Sequence, residues 1–388
     1  MNFGYDLTQS NTDFNLDISL VDKEKFSHFS ESELIKIGSD IFRQVIAELY
    51  YNSYQKPVVP ISGGLDSRAI LAALIELCPA ANIQTYTFGT PGTLDFEIGN
   101  QIAKILGTNH TTFNLTEHEY TLEEEKLISR RSNHQSLLFH HPPVLELDKI
   151  YSKMDIWSGF FGGPASGQHL LDLRLSNQEF KNLFLEKHLF AKNTITSIDF
   201  KNYWGFIDPP VECLEKGISY YECLDFYNRQ KKYILPSIQI EGFNYITPFT
   251  HVKWLGFILS LENKYRINQY LYKKILLNMF PKLFAVRTKS NLGLSLNASK
   301  LRVNLSRIVI KLANIYGMNS VKNTNYIDFN EGFRNRKDLN KIIDHIRDDS
   351  LFQDRFPRVY DMLFDKNKIS NANEILLFLS FYFNEFLR

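Results

Sequence analysis

Cysteine is scarce in this sequence and charge of either sign is nearly balanced. The three cysteines, Cys78, Cys213 and Cys223, are odd in number and stand at no metal-ligand spacing. That excludes a disulfide-built scaffold or a zinc site as the basis of the fold and points to a reducing, cytoplasmic setting. Lysine plus arginine number 44 against 43 acidic residues. A broad positive face for nucleic acid or a membrane surface is therefore not expected. Long apolar runs are missing too: the most apolar late stretch, 375–386, is interrupted by Asn384 and Glu385 and is too short to span a bilayer. The first residues, MNFGYDLTQSNTDF, have neither the basic nor the apolar part of a secretion signal. No internal repeat, low-complexity tract or G-x-x-x-x-G-K-[ST] loop occurs.

What remains is an ordinary globular mixture, 44% apolar and 22% charged over 388 residues, long enough for a substantial core. Helical spacing of apolar residues predicts a helix over 32–51, with Ser30 as its cap. Strands are predicted at 58–61, 83–88, 111–115 and 154–157, and further helices at 67–78 and 95–106, the last stopped by Gly107. Strands alternating with helices imply an α/β fold with a doubly wound parallel sheet. Beyond about residue 177 the strand signal fades and amphipathic helices take over, so a helical lobe appended to the sheet is expected.

Residues 57–74 read PVVPISGGLDSRAILAAL. A buried strand delivers the chain to a turn in which Gly63 and Gly64 allow backbone conformations closed to other residues. Successive N–H groups can then converge on an anion, reinforced by the N-terminal end of the following helix. Ser62 and Ser67 add hydroxyl donors. Asp66 does not suit a pure anion nest; it suits one that also holds Mg²⁺, which is bound by one or two carboxylates plus substrate phosphates. A capped strand-to-helix turn is the plainer alternative for the glycines alone. With no Walker loop, chemistry is expected at the α-phosphate with pyrophosphate leaving.

The Ser62-Gly63-Gly64-Leu65-Asp66-Ser67 loop resembles the signature of the ATP-pyrophosphatases, the adenine-nucleotide alpha-hydrolase type of fold. Later segments resemble the synthetase half of the asparagine synthetase family in order. They are Asp95 and Glu97 with Leu106-Gly107-Thr108-Asn109-His110, then Thr247-Pro248-Phe249 through Trp254 to Ser260-Leu261, Tyr272-Lys273-Lys274-Ile275-Leu276, Phe280-Pro281 and Arg287-Thr288-Lys289. The resemblance implies an N-terminal arm over 1–30, an ATP-binding domain over 31–295 and a C-terminal helical region over 296–388 packed on it. It implies ATP and Mg²⁺ as cofactors, with Ser62, Gly63, Gly64, Leu65, Asp66 and Ser67 around Mg²⁺-pyrophosphate, Asp66 as metal ligand, and Thr87, Phe88 and Gly89 bordering adenine. Lys289 matches a lysine that stabilises amide closure in beta-lactam synthetases; a solvated surface lysine is the alternative. Arg68 either touches phosphate or pairs with a carboxylate.

The sequence also departs from that family. Where asparagine synthetases carry S-G-E-G-A-D-E, this chain has Ser158-Gly159-Phe160-Phe161-Gly162-Gly163-Pro164. Phe160 stands at the proton-transfer Glu (Tyr in beta-lactam synthetases) and Gly163 at the second metal-binding Asp. Glu97 and Asp172 are the acids able to compensate. The Met-Cys start of a glutaminase half is absent. The expected activity is ATP-dependent adenylation of a small-molecule or peptide carboxylate and attack by an amine, or by ammonia from a separate source. The alternative is a degenerate nucleotide-binding partner or regulator. His140-His141-Pro142-Pro143 is expected to be an exposed loop, Arg229-Gln230-Lys231-Lys232 a solvated helix face, and Trp204, Phe206, Phe226 and Tyr227 either acceptor-pocket lining or lobe core.

Overall fold

A computed structural model describes residues 3–9, 14–190, 199–315, 336–364 and 372–388. Five strands form one all-parallel sheet: β1 (Pro57–Pro60), β2 (Gln84–Gly89), β3 (Asn109–Asn114), β4 (Asp155–Trp157) and β5 (Asn244–Ile246), in the order β3-β2-β1-β4-β5. The α/β, doubly wound expectation holds, and four strands fall where the sequence places them. β5 does not: it is only three residues of mixed polarity, too short to show a period of two.

Strand residues alternate between two faces. Val59 and Ile61 pack with α1 (Glu31–Asn52), α2 (Asp66–Ile75) and α3 (Leu94–Leu106) in the largest core cluster. Val58, Tyr86 and Ile156 point the other way, onto Leu147 and Tyr151 of α4 (Val144–Tyr151). Helix α1 begins at a complete capping box between Ser30 and Glu33, satisfying two of the N–H groups that a helix start leaves open. Helix α3 ends at Gly107 with φ 70°, a left-handed stop that glycine adopts without strain.

Because the chain runs from β1 to β2 on one side and from β4 to β5 on the other, the connections leaving the neighbouring strands β1 and β4 diverge. In open parallel sheets that divergence leaves a crevice at the carboxyl ends of the two strands, where ligands bind. The loops after β1 and β4 are the glycine loop and the Ser158–Gly163 segment. The helical remainder packs around them: α5 (Tyr270–Met279) lies against α1, and residues of Lys337–Arg347 and Ala372–Phe381 bury against Tyr120, Ile128, Phe139 and Val144. The described part of the N-terminal arm has no strand; Leu16, Ile18, Val21 and Phe26 are buried in the main core.

The cysteine expectation is corrected. Cys213 and Cys223 form a disulfide, with Cα atoms 6.2 Å apart, inside the range a disulfide bridges. The left-handed turn at Gly217 (φ 70°) folds two short helices, Val211–Glu215 and Tyr220–Leu224, so that their buried cysteines meet. Sequence spacing of ten residues does not reveal that turn. Among the described residues no helix is long and apolar enough to cross a membrane.

Candidate nucleotide site

The crevice opens into a cavity of about 530 Å³, within the range of small-molecule sites. Its polar end is the glycine loop: Ser62, Gly64, Asp66 and Ser67 line it, with Ser158 and Gly159 from the loop after β4 and Asp95 from α3. The Gly64 N–H donates to Ser62 Oγ at 3.2 Å and the Gly63 N–H to Asp95 Oδ1 at 3.1 Å. Lys289 is brought to this loop from far along the chain. Its backbone N–H donates to the Gly63 carbonyl at 2.9 Å, and its ammonium pairs with Asp95 Oδ2. Lys289 is exposed but is not a lone solvated lysine. Leu65 turns into the core, 6% exposed, and anchors the loop there.

Asp66 opens α2 and faces the cavity. Tyr272 of α5 donates its hydroxyl to Asp66 Oδ1 at 2.7 Å, and the Gly163 N–H also bonds the carboxyl group. Burial raises the Asp66 pKa from 3.8 to about 6, more than these two hydrogen bonds lower it. A carboxylate enclosed without a positive side chain against it fits a divalent cation, which supplies the missing countercharge. Among the described residues no group of three or more His, Cys, Asp or Glu could hold a metal ion.

Several expectations are corrected. Arg68 neither reaches toward the cavity nor pairs with a carboxylate. It is fully buried, donates to the carbonyls of Arg287 (2.8 Å) and Leu283 (3.5 Å) and lies over the Phe284 ring. Burial lowers its pKa to about 10. It ties α2 to the Leu283–Arg287 segment that ends just before Lys289. Glu97 and Asp172 are exposed and do not line the cavity; Glu97 Oε1 accepts from the Gly92 N–H at 2.8 Å. Thr87 turns away beneath α3 and donates to the Ile61 carbonyl at 2.8 Å, so of the Thr87-Phe88-Gly89 trio only the Phe88 side chain lines the cavity.

The two histidines are not an exposed loop. His140 and His141 both line the cavity, and burial lowers their pKa values to about 4 and about 3. They are neutral imidazoles at physiological pH. The basic run is not a free helix face either: it lies in a π-helical stretch, Asp225–Ile234, that turns Gln230, Tyr233 and Ile234 to the cavity. Such π-helical insertions frequently mark functional sites. Trp204, Phe206, Phe226 and Tyr227 do not line it; Phe226 is core, stacked edge-on to Phe161. Phe160 lines the cavity and is also core, with its ring edge-on to Phe14 at 5.5 Å.

Sequence reasoning missed the parts played by Asp95, Tyr272 and Gln230. The first two stand in motifs already singled out, but their partners lie some thirty to two hundred residues away along the chain.

A parallel sheet in this strand order, with a glycine loop leaving its central strand into a cavity at the switch point, defines a doubly wound α/β protein with a candidate ligand site at that loop. Residues 54–137 match the asparagine synthase family, a stretch that runs from just before β1 through the loop, β2, α3 and β3. The match bears out the resemblance to the synthetase domain of asparagine synthetases over that stretch, under a quarter of the chain. That family comprises ATP-dependent, amidotransferase-like synthetases. No curated protein matches the chain.

Proposed function

We propose that this protein is an ATP-dependent amide-forming ligase that adenylates a carboxylic acid and passes the acyl group to an amine. The observation that carries this reading is the intact glycine loop, within the family-matched stretch, opening with Asp66 into one cavity beside the Lys289–Asp95 pair. In the first half-reaction a substrate carboxylate oxygen attacks the α-phosphorus of ATP and pyrophosphate leaves. In the second the amine nitrogen attacks the acyl carbon, AMP leaves, and the nitrogen gives up a proton.

The loop N–H groups and hydroxyls of Ser62 and Ser67 would bind the pyrophosphate part. Asp66 would hold Mg²⁺, which when bound neutralises phosphate charge. Lys289, released from Asp95, would stabilise the negative charge of the second step. Phe160 has no proton to exchange, so that duty passes to other groups; the neutral imidazoles of His140 and His141 line the same cavity. Among the described residues no lysine or arginine lines it. A free amino acid such as aspartate would leave its α-carboxylate without a cationic partner there, which favours an acid with an uncharged body.

The test is calorimetric titration of Mg²⁺-ATP, followed by ATP–pyrophosphate exchange over a panel of carboxylic acids. Magnesium-dependent binding, and exchange with an acid of uncharged body, are expected. The second reading, a degenerate member acting as a partner or regulator, is favoured by Phe160 and Gly163. Nucleotide binding without exchange for any acid would select it, and a folded protein that ignores Mg²⁺-ATP would sink the ligase reading.

A further inference from the structure

Gly163 stands where the resembled family carries its second metal-binding aspartate, and the structure shows what takes up that space. A side chain starting at Gly163 would land on the amide oxygen, Oε1, of Gln168. The backbone explains how Gln168 gets there. A short helix, Gly162–Ala165, turns the chain back, and the Gln168 N–H donates to the Gly163 carbonyl at 3.0 Å. Gly167, at φ 91° and packed against the Arg266 backbone, makes the turn that a side chain would prevent. On the other side the Gly163 N–H is bonded to the Asp66 carboxyl group. At Gly162 a Cβ would come within 2.5 Å of Asp66 Cγ, so this backbone presses directly on that carboxyl. Both Gln168 and Asp66 line the cavity, together with Ser62 and Gly64 of the loop.

We propose that Gln168 supplies the second protein oxygen to the metal ion of Mg²⁺-ATP, in place of the carboxylate missing at Gly163. The inference rests on the nucleotide reading above and adds to it. A carbonyl oxygen is a hard ligand of the kind such cations accept, but it brings no charge. The site thus keeps two protein oxygens while carrying one negative charge fewer, and the Gln168 amide occupies the volume that a side chain at 163 would enter.

The experiment measures Mg²⁺-ATP affinity by calorimetry, with metal-free ATP as control, for the wild type and for Gln168→Ala, Gln168→Glu, Gly163→Asp and Gly163→Asp/Gln168→Ala. Gln168 is exposed at the mouth of the cavity, so its variants are expected to fold, which thermal melts check. Gln168→Ala should weaken Mg²⁺-ATP roughly tenfold, about 1.4 kcal/mol, and leave metal-free ATP unchanged. Gln168→Glu should tighten it. Gly163→Asp should push the Gln168 amide aside and take over as the second ligand, so Gln168→Ala should cost nothing further in the Gly163→Asp background. The proposal is overturned if Gln168→Ala binds Mg²⁺-ATP like the wild type while Asp66→Ala does not, or if Asp95→Asn abolishes the metal dependence and Gln168→Ala does not. Failure of the wild type to bind Mg²⁺-ATP at all would instead overturn the nucleotide reading on which the proposal stands.

Discussion

At the scale of single residues, Asp66 shows how a site stores a ready charge. Its carboxyl sits in a pocket that favours the neutral form, with a folded pKa of about 6 against 3.8 for the ordinary group. The sign follows directly. Below pH 3.8 the group is protonated in both folded and unfolded chains and costs nothing. Between 3.8 and about 6 the unfolded chain ionises first, and folding loses stability. Above about 6 the full penalty stands, on the order of 1–2 kcal/mol once partial opening to solvent is allowed for. Asp66→Asn should therefore raise the melting temperature at pH 7.5 and lose that advantage below pH 4, while removing magnesium-dependent ATP binding. Melting curves across pH and calorimetry check the two halves; an unchanged melting temperature at pH 7.5 would contradict the first. For the wild type, Mg²⁺-ATP affinity should rise up to about tenfold per pH unit below pH 6, as metal displaces the proton, and level off above it.

At the scale of elements, two packing contacts hold the cavity's rim. Helix α3 lies so close to β2 that a Cβ at Gly99 would come within 2.5 Å of Thr87 Oγ1 and 2.7 Å of the Ile61 carbonyl. Gly99→Ala should cost about 1–3 kcal/mol through forced displacement, read as a shifted urea midpoint, and should displace Asp95 with its helix. The second contact is a buried ion pair. Arg266 and Glu222 are 0% and 1% exposed, bonded at 2.5 and 3.2 Å, and Arg266 also donates to the Ala165 carbonyl at 3.1 Å. That bond pins the end of the short helix Gly162–Ala165, just before Gln168. Removing one partner of such a pair leaves an uncompensated buried charge, so Glu222→Ala should cost about 3–5 kcal/mol. Circular dichroism melts measure it, and a loss under about 1 kcal/mol would show that the pair is not holding the lobe. The helices and strands named here were mostly visible in apolar spacing and caps. The Gln168 turn and the π-helical stretch were not, because both depend on backbone conformations set by distant packing.

At the scale of the whole molecule, the far end of the chain shapes the cavity wall. Asn384, 6% exposed, accepts from Ser129 Oγ at 2.6 Å and donates to the Ser136 carbonyl at 2.9 Å. Ser380 Oγ accepts from the Leu138 N–H at 3.0 Å. These bonds fasten the stretch that leads into His140 and His141. Asn384→Ala should cost about 1–3 kcal/mol for the partners left unsatisfied and increase hydrogen exchange over 129–141 without altering exchange in β1 and β2. Uniform exchange across the chain would contradict a local role.

The sequence by itself determined the α/β class, the strand-loop-helix unit around Ser62–Ser67 and the resemblance to the asparagine synthase family over 54–137, because these rest on local periodicity and on a motif contiguous in the chain. Tertiary structure alone decided that Lys289 meets Asp95 at the loop, that Arg68 is a buried tie and His140 a cavity wall, that Cys213 and Cys223 meet, and that Gln168 fills the space left by Gly163. Each of those depends on which distant segments the sheet and its lobe bring within a few ångströms, and hydrogen bonding and exclusion act through space without regard to chain distance.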